Sequence, residues 1–331
     1  MEQNYNQLDQ LERDQLAIYR SQGLSFSEIG KRLGRSGSSL SREYQRNLNT
    51  EGNYLPSEAD DQAKSRKQQA AEMASKCEPY EDKIYARLCE GWTPEQIAGR
   101  LSVEEINFTV SHETLYCFIY KYHIDWTKLL PRKHAPRWYK GMGKGISKRD
   151  MIPNRVSILE RPECINNKTE FGHWEGDSIV CSQSTVSLNV MAERQTQYVS
   201  IRRVGNRGAE VTKEAMISSL ERFKASSRLS ITMDNGIEFK HHEKVTEALN
   251  IKTYFCQPYH SWEKGLVEQI NELIRRFLPK KTDLSKITEE EVGVIEFLLN
   301  SRPRKLLNWA TPAEVFARKS GIKVVGDALA T

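Results

Sequence analysis

The run HWEGDSIVCS (residues 173–182) opens a stretch whose periodicity decides the fold. It is β-prone and bounded by polar turns, and so are the two runs that follow, TVSLNVMAER (185–194) and QYVSIRRV (197–204). Three such runs in succession read as antiparallel strands. A helical segment follows, AEVTKEAMISSLERF (209–223), whose apolar stripe is Val211, Ala215, Met216 or Ile217, Leu220 and Phe223. Then come a strand (RLSITMD, 228–234), a helix (HEKVTEALN, 242–250) and another strand (IKTYFCQ, 251–257). A long helix, GLVEQINELIRRFLP (265–279), and a final helical pair complete the pattern. Strands in sequence, then helix and strand in alternation, predict an α/β domain over 165–320 with a mixed five-stranded sheet.

Upstream the pattern is helical throughout. LDQLERDQLAIYR stops at Ser21-Gln22-Gly23, where a glycine can take the left-handed conformation that ends a helix. SFSEIGKRLG sets Ile29 and Leu33 on one face. SGSSLSREYQRN starts at Ser36, a good N-cap residue, buries Leu40 and turns Ser38, Ser39, Arg42 and Arg46 outward. Short polar side chains followed by arginines suit a helix that reads the major groove of double-stranded DNA. Residues 1–50 are therefore expected to be a helix-turn-helix, and the polar segment 51–80 a helical linker. A second helix-turn-helix is expected over 81–125, from WTPEQIAGRL with Pro94 in its first turn and SHETLYCFIYKY with Leu115, Phe118 and Ile119 on one face.

The chain has 331 residues, of which 38% are hydrophobic and 28% charged, enough apolar content for folded cores. No apolar run approaches the ~18 residues that span a bilayer, and the polar start MEQNYNQLDQ lacks the apolar stretch of a secretory signal. Six cysteines without a CxxC pair fit reduced thiols in a cytoplasmic protein. The net charge of +5 is unevenly spread. Residues 126–155 hold nine basic residues against one acidic residue, with three prolines, three glycines and interleaved Trp126, Trp138 and Tyr139. We read 126–164 as a basic linker in which Lys133, Arg137 and Lys140 contact phosphates, because each neutralised phosphate releases counterions. Residues 321–331 form a tail.

Three carboxylates stand out in the α/β segment. Asp177 follows Gly176 on the first strand, Asp234 ends the strand ITMD before the turn Asn235-Gly236, and Glu268 lies on the long helix. Asn271 and Arg275 share the helix face of Glu268, at i+3 and i+7. A hard, all-oxygen set of this kind suits Mg2+ or Mn2+ rather than zinc. Two such ions, ~3.5–4 Å apart, activate a nucleophilic oxygen and stabilise a leaving oxygen in phosphoryl transfer. His173, Trp174, His260, Trp262 and Lys264 neighbour these acids in sequence, and some of them are expected to contact DNA.

The strings GHWEGDSIV, ITMDNGIEF, PYHSWEKGLVEQINELIRRFLPK and LNSRPRKLLNWATPAEVF, in that order, resemble successive blocks of the insertion-sequence-thirty family of bacterial transposases. GRSGSSLSREYQRN and WTPEQIAGRL…SHETLY resemble that family's two DNA-binding units, so the likeness covers nearly the whole chain. The resemblance implies a ribonuclease-H-like integrase core whose Asp-Asp-Glu triad falls on Asp177, Asp234 and Glu268, followed by Asn271 and Arg275. It also implies two divalent ions, binding to terminal inverted repeats and target DNA, and cleavage and strand transfer by a homo-oligomer at the bacterial nucleoid. No membrane and no organic cofactor is expected. One block departs from the family. Its usual Gly-Thr-Asn-Glu-Asn-Thr-Asn-Gly is here Gly265-Leu-Val-Glu-Gln-Ile-Asn-Glu272. A non-catalytic DNA-binding regulator, an inactive remnant and a nuclease that cuts without joining stay open as alternatives.

Overall fold

The computed structural model describes residues 7–130, 152–258 and 260–321. They fall into two compact units, Met1–Glu81 with Glu113–Ile124, and Asp82–His112 with Asp125–Thr331. The first unit begins with α1 (Gln10–Ser21), α2 (Phe26–Leu33) and α3 (Gly37–Arg46). Local chemistry sets their starts. Asp9 with Glu12 and Ser25 with Glu28 form capping boxes, and the Ser36 hydroxyl accepts from the Ser39 amide. Gly34 ends α2 at φ +64°, and Arg35 in the turn donates twice to Glu12, at 2.8 and 3.0 Å. α2 and α3 approach so closely that a Cβ on Gly30 would lie 2.6 Å from the Arg35 carbonyl oxygen. Leu8, Leu16, Ile29, Leu40, Tyr54 and Ala59 fill the core between these helices.

The segment expected to be only a linker is part of this unit. α4 (Pro56–Ser75) buries Ala59 and Ala63, and Arg13 of α1, only 2% exposed, pairs with Glu43 of α3 at 2.9 Å and Asp60 of α4 at 2.7 Å. Ion pairs and two alanines hold α4 in place of a wide apolar stripe.

The boundary between the units also cuts the expected second helix-turn-helix. α5 (Glu81–Cys89) and α6 (Pro94–Glu104) fold mainly with the second unit, whereas α7 (His112–Tyr122), with Leu115, Phe118 and Ile119 buried, belongs to the first. The physical reason lies on α6. A Cβ on Gly99 would sit 2.2 Å from the Trp309 ring, the Arg100 guanidinium makes hydrogen bonds of 2.9 and 2.6 Å to Glu314, and Gln96 donates to the Pro303 carbonyl. The face is already taken.

The second unit continues with α8 (Glu163–Asn166), β1 (His173–Val180), β2 (Ser187–Glu193) and β3 (Val199–Val204). α9 (Ala209–Glu221), β4 (Ser230–Met233), α10 (His242–Leu249) and β5 (Lys252–Phe255) follow, and α11 (Gly265–Phe277), α12 (Glu289–Asn300) and α13 (Pro312–Ser320) end it. The sheet order is β3-β2-β1-β4-β5, with β1 antiparallel to β2, β2 antiparallel to β3, and β1, β4 and β5 parallel. Every residue of β2 is buried, as expected of a strand covered on both faces. Ile179, Leu188, Val190 and Ile201 pack under α11 and α12 on one face. Trp174, Met191, Ile231 and Met233 pack under α9, α10 and α13 on the other. Residues 152–164, assigned to the basic linker from sequence, are built into this unit: Ile152 is in the core and the Val156 carbonyl accepts from the Phe255 amide. Lys133, Arg137 and Lys140 lie outside the described residues. Among the described residues no helix is long and apolar enough to cross a membrane.

The buried ion pairs yield a stability prediction. Arg13→Met leaves Glu43 with Arg46 alone and Asp60 with Lys64 alone, so it should cost ~1–3 kcal/mol, less than the ~3–5 kcal/mol of a buried charge left with no partner. Urea unfolding of the variant measures it, and a loss below ~1 kcal/mol would show that water compensates the acids.

Candidate active site

Period-two geometry on β1 turns Glu175, Asp177 and Ile179 toward α11 and leaves Trp174 for the opposite core. Glu175 is 2% exposed and accepts a hydrogen bond of 3.0 Å from the Val267 amide in the first turn of α11. A carboxylate there satisfies an orphan helix donor and favours the positive end of the helix dipole. It also fixes the backbone immediately before Glu268. Farther along, Arg275 donates to the Val180 carbonyl at 2.5 Å, so the helix is tied to β1 at both ends.

Between those ties lies the polar site. Asp234, just past the carboxyl end of β4, accepts from the Gly236 amide through one carboxylate oxygen. Its other oxygen is 3.1 Å from the Lys264 ammonium, which is also 2.7 Å from Asp177. The second oxygen of Asp177 accepts from the Asn271 amide at 2.5 Å. Asp177 and Asp234, fifty-seven positions apart in the sequence, thus meet at one cation. Burial alone would depress the ammonium's pKa, but the two aspartates outweigh it and hold Lys264 above the ordinary lysine range. Glu238 stands close by, half-buried over Gly236, and its carboxyl is shifted upward by burial and by the charges of Asp234 and Asp177.

The structure therefore brings together Asp177, Asp234 and Asn271 of the residues singled out from sequence. Glu268 is exposed on α11, and among the described residues no three His, Cys, Asp or Glu side chains are gathered to hold a metal ion. Arg275 braces the helix through backbone carbonyls rather than presenting a free guanidinium. His173 is buried between Ser230 and Glu170, and Trp174 is core, its indole donating to the Ser227 carbonyl. The Trp262 side chain lies outside those described. In the first unit Ser38, Arg42 and Arg46 are exposed on α3, while Ser39 is half-buried in the cap with Ser36. Arg42 donates to its own helix at the Ser38 carbonyl, and Arg46 pairs with Glu43 at 2.6 Å.

Glu238 is not singled out by the sequence, and Lys264 is named there only among the neighbours of the acids, some of which are expected to contact DNA. The signal for Glu238 was its place four residues after Asp234, at the end of a turn. Lys264 had none beyond sitting before the glycine that opens α11.

An integrase core domain matches residues 167–261, and a helix-turn-helix domain matches residues 4–47. The transposase for insertion sequence element IS4351 of Bacteroides fragilis is 36% identical, covering 88% of this chain and 90% of that protein. The transposase for insertion sequence element IS1086 of Cupriavidus metallidurans is 32% identical over 95% of both chains. Transposase InsI for insertion sequence element IS30C of Escherichia coli is 31% identical, over 93% of this chain and 82% of that one. With its sheet order, its integrase core and its N-terminal helix-turn-helix, the chain belongs to the IS30 family of insertion-sequence transposases.

Proposed function

We propose that this transposase cleaves DNA and transfers strands by metal-dependent phosphoryl transfer at Asp177, Asp234 and Glu268. The observation that carries the reading is the meeting of Asp177 and Asp234 at a single cation. An all-oxygen pair that already accepts a positive charge fits a hard divalent ion, and the Asn271 side-chain oxygen beside it is buried without a partner among the described atoms. Asp177 and Asp234 would hold Mg2+ or Mn2+, two ions in the complete site, with Glu268 as the remaining ligand. Such ions supply charge stabilisation for a phosphate under attack.

The chain's own residues supply positioning, which carries most of the rate in this chemistry. Asn271 orients Asp177, Glu175 holds the first turn of α11, and Gly236 fixes Asp234. Water, then a DNA 3′-hydroxyl, act as successive nucleophiles, with no covalent protein intermediate. Ser38, Arg42 and Arg46 of α3 are exposed where a reading helix would present them, and we assign them to the terminal inverted repeats. Lys133, Arg137 and Lys140 are proposed to contact phosphates without reading sequence. Assembly as a homo-oligomer on DNA, in the nucleoid, completes the proposal. The regulator reading draws on the exposed Glu268 and its altered neighbours, and it needs neither aspartate.

Two expectations test this reading. Arg42→Ala should lose ~1–3 kcal/mol of discrimination between terminal repeat and random duplex, the scale of one bidentate base contact, and keep metal binding. Asp234→Asn should do the reverse, abolishing Mg2+-dependent strand transfer while repeat binding stays near normal. Titrations with labelled duplex and a strand-transfer assay on both variants decide it, and activity persisting in Asp234→Asn defeats the enzyme reading. Separately, Glu175→Leu leaves the Val267 amide unpaired and Arg194 without its carboxylate at 3.6 Å. It should cost ~3–5 kcal/mol in denaturant unfolding, and Glu175→Gln far less. Equal stability of the Leu variant would mean that α11 is held elsewhere.

A further inference from the structure

Lys264 is the residue whose placement the assigned roles leave unexplained. A lysine that merely packs its stem would carry its head to water. This one does not. The residue is 3% exposed, and its ammonium touches oxygen: Asp177 at 2.7 Å, Asp234 at 3.1 Å and the Gly176 carbonyl at 3.5 Å. The chain on either side is pinned, because Glu263 accepts from the Gln257 amide and Glu175 from the Val267 amide. Burying an ammonium is costly unless its surroundings need the charge. Here the need is that of two neighbouring carboxylates.

We propose that Lys264 is a positioning residue of the active site: in the metal-free chain its ammonium fills the cation seat of Asp177 and Asp234, and a divalent ion enters by displacing it. The ammonium and the ion compete for the same carboxylate oxygens, so they exclude one another. Exchange of one positive charge for two raises the local charge beside the carboxylates. The exchange accounts for the burial of Lys264. The inference rests on the metal reading of the aspartate pair given above.

Mn2+ titration of the full chain without DNA, followed by the electron paramagnetic resonance of the free ion, tests it. Lys264→Gln removes the internal competitor and should bind Mn2+ about tenfold more tightly than wild type, or better, while Lys264→Arg, which keeps the charge, should stay close to wild type. Equal or weaker binding by Lys264→Gln overturns the displacement. If both proteins bind Mn2+ equally, only the role of Lys264 falls. If neither binds, the metal reading of Asp177 and Asp234 falls with it. Should Lys264→Gln fail to fold, the wild-type chain carries the test: trace acetylation read by mass spectrometry should find Lys264 protected without metal and several-fold more reactive with saturating Mn2+. Unchanged protection overturns the proposal.

Discussion

Two carboxylates in a shared site repel each other unless a cation stands between them. Asp177 and Asp234 meet that constraint through Lys264, and much of the catalytic unit can be derived from it. Asp177 must sit where β1 faces α11, and Asp234 where parallel β4 ends beside it. The residue that balances them must then come from the connection between β5 and α11. That connection is held from both sides, by Glu263 at its beginning and Glu175 at its end. The sheet supplies two fixed anions, and the loop after β5 supplies the cation.

Much of this was legible in the sequence because it is local. The capping residues Asp9, Ser25, Ser36, Thr93 and Thr311 each open a helix where a short polar side chain precedes an apolar pattern. The five strands follow from period and composition, and Asp177 and Asp234 could be placed because a strand and a strand end fix where a side chain projects. The illegible part is long-range. Nothing near Lys264 announces that its charge will be shared by residues 87 and 30 positions away. Nor does the polar face of α4 announce Arg13, because an ion pair leaves no hydrophobic period to detect. Glu268 is the instructive case. Its helix and its face were readable, but that its side chain is exposed on the assembled helix was not.

The same distinction separates the two polar residues that follow Glu268. Asn271 and Arg275 share one face of α11, and helical spacing alone grants them equal standing as ligands for a phosphate. Their surroundings differ. Asn271 meets the carboxylate of Asp177 midway along β1, whereas Arg275 meets the end of the strand and donates to the Val180 carbonyl. Burial lowers the Arg275 guanidinium's pKa, and among the described residues it forms no ion pair with a carboxylate. A charge in that setting is worth most as a brace, since it donates to a backbone carbonyl at the end of β1 and to one at the end of its own helix.

Bracing also explains the string LNSRPRKLLNWATPAEVF, which carries much of the family likeness and none of the proposed chemistry. Asn300 closes two hydrogen bonds of 2.8 Å with the backbone of Val199, joining α12 to β3. Arg302 reaches the Glu90 carbonyl at the end of α5, and Gly91, at φ +78°, leaves space that a Cβ would contest at 2.5 Å. The chain then turns through left-handed Asn308 and Trp309, a costly conformation for a bulky side chain, and lays the indole on Gly99. Glu314 takes Arg100, and Phe316 enters the core beneath the sheet. These residues contact β3, the end of α5, α6 twice and the core beneath the sheet. Its contribution is to join α5 and α6 to the catalytic sheet, and a segment that must satisfy five partners at once is as constrained in sequence as one that binds metal.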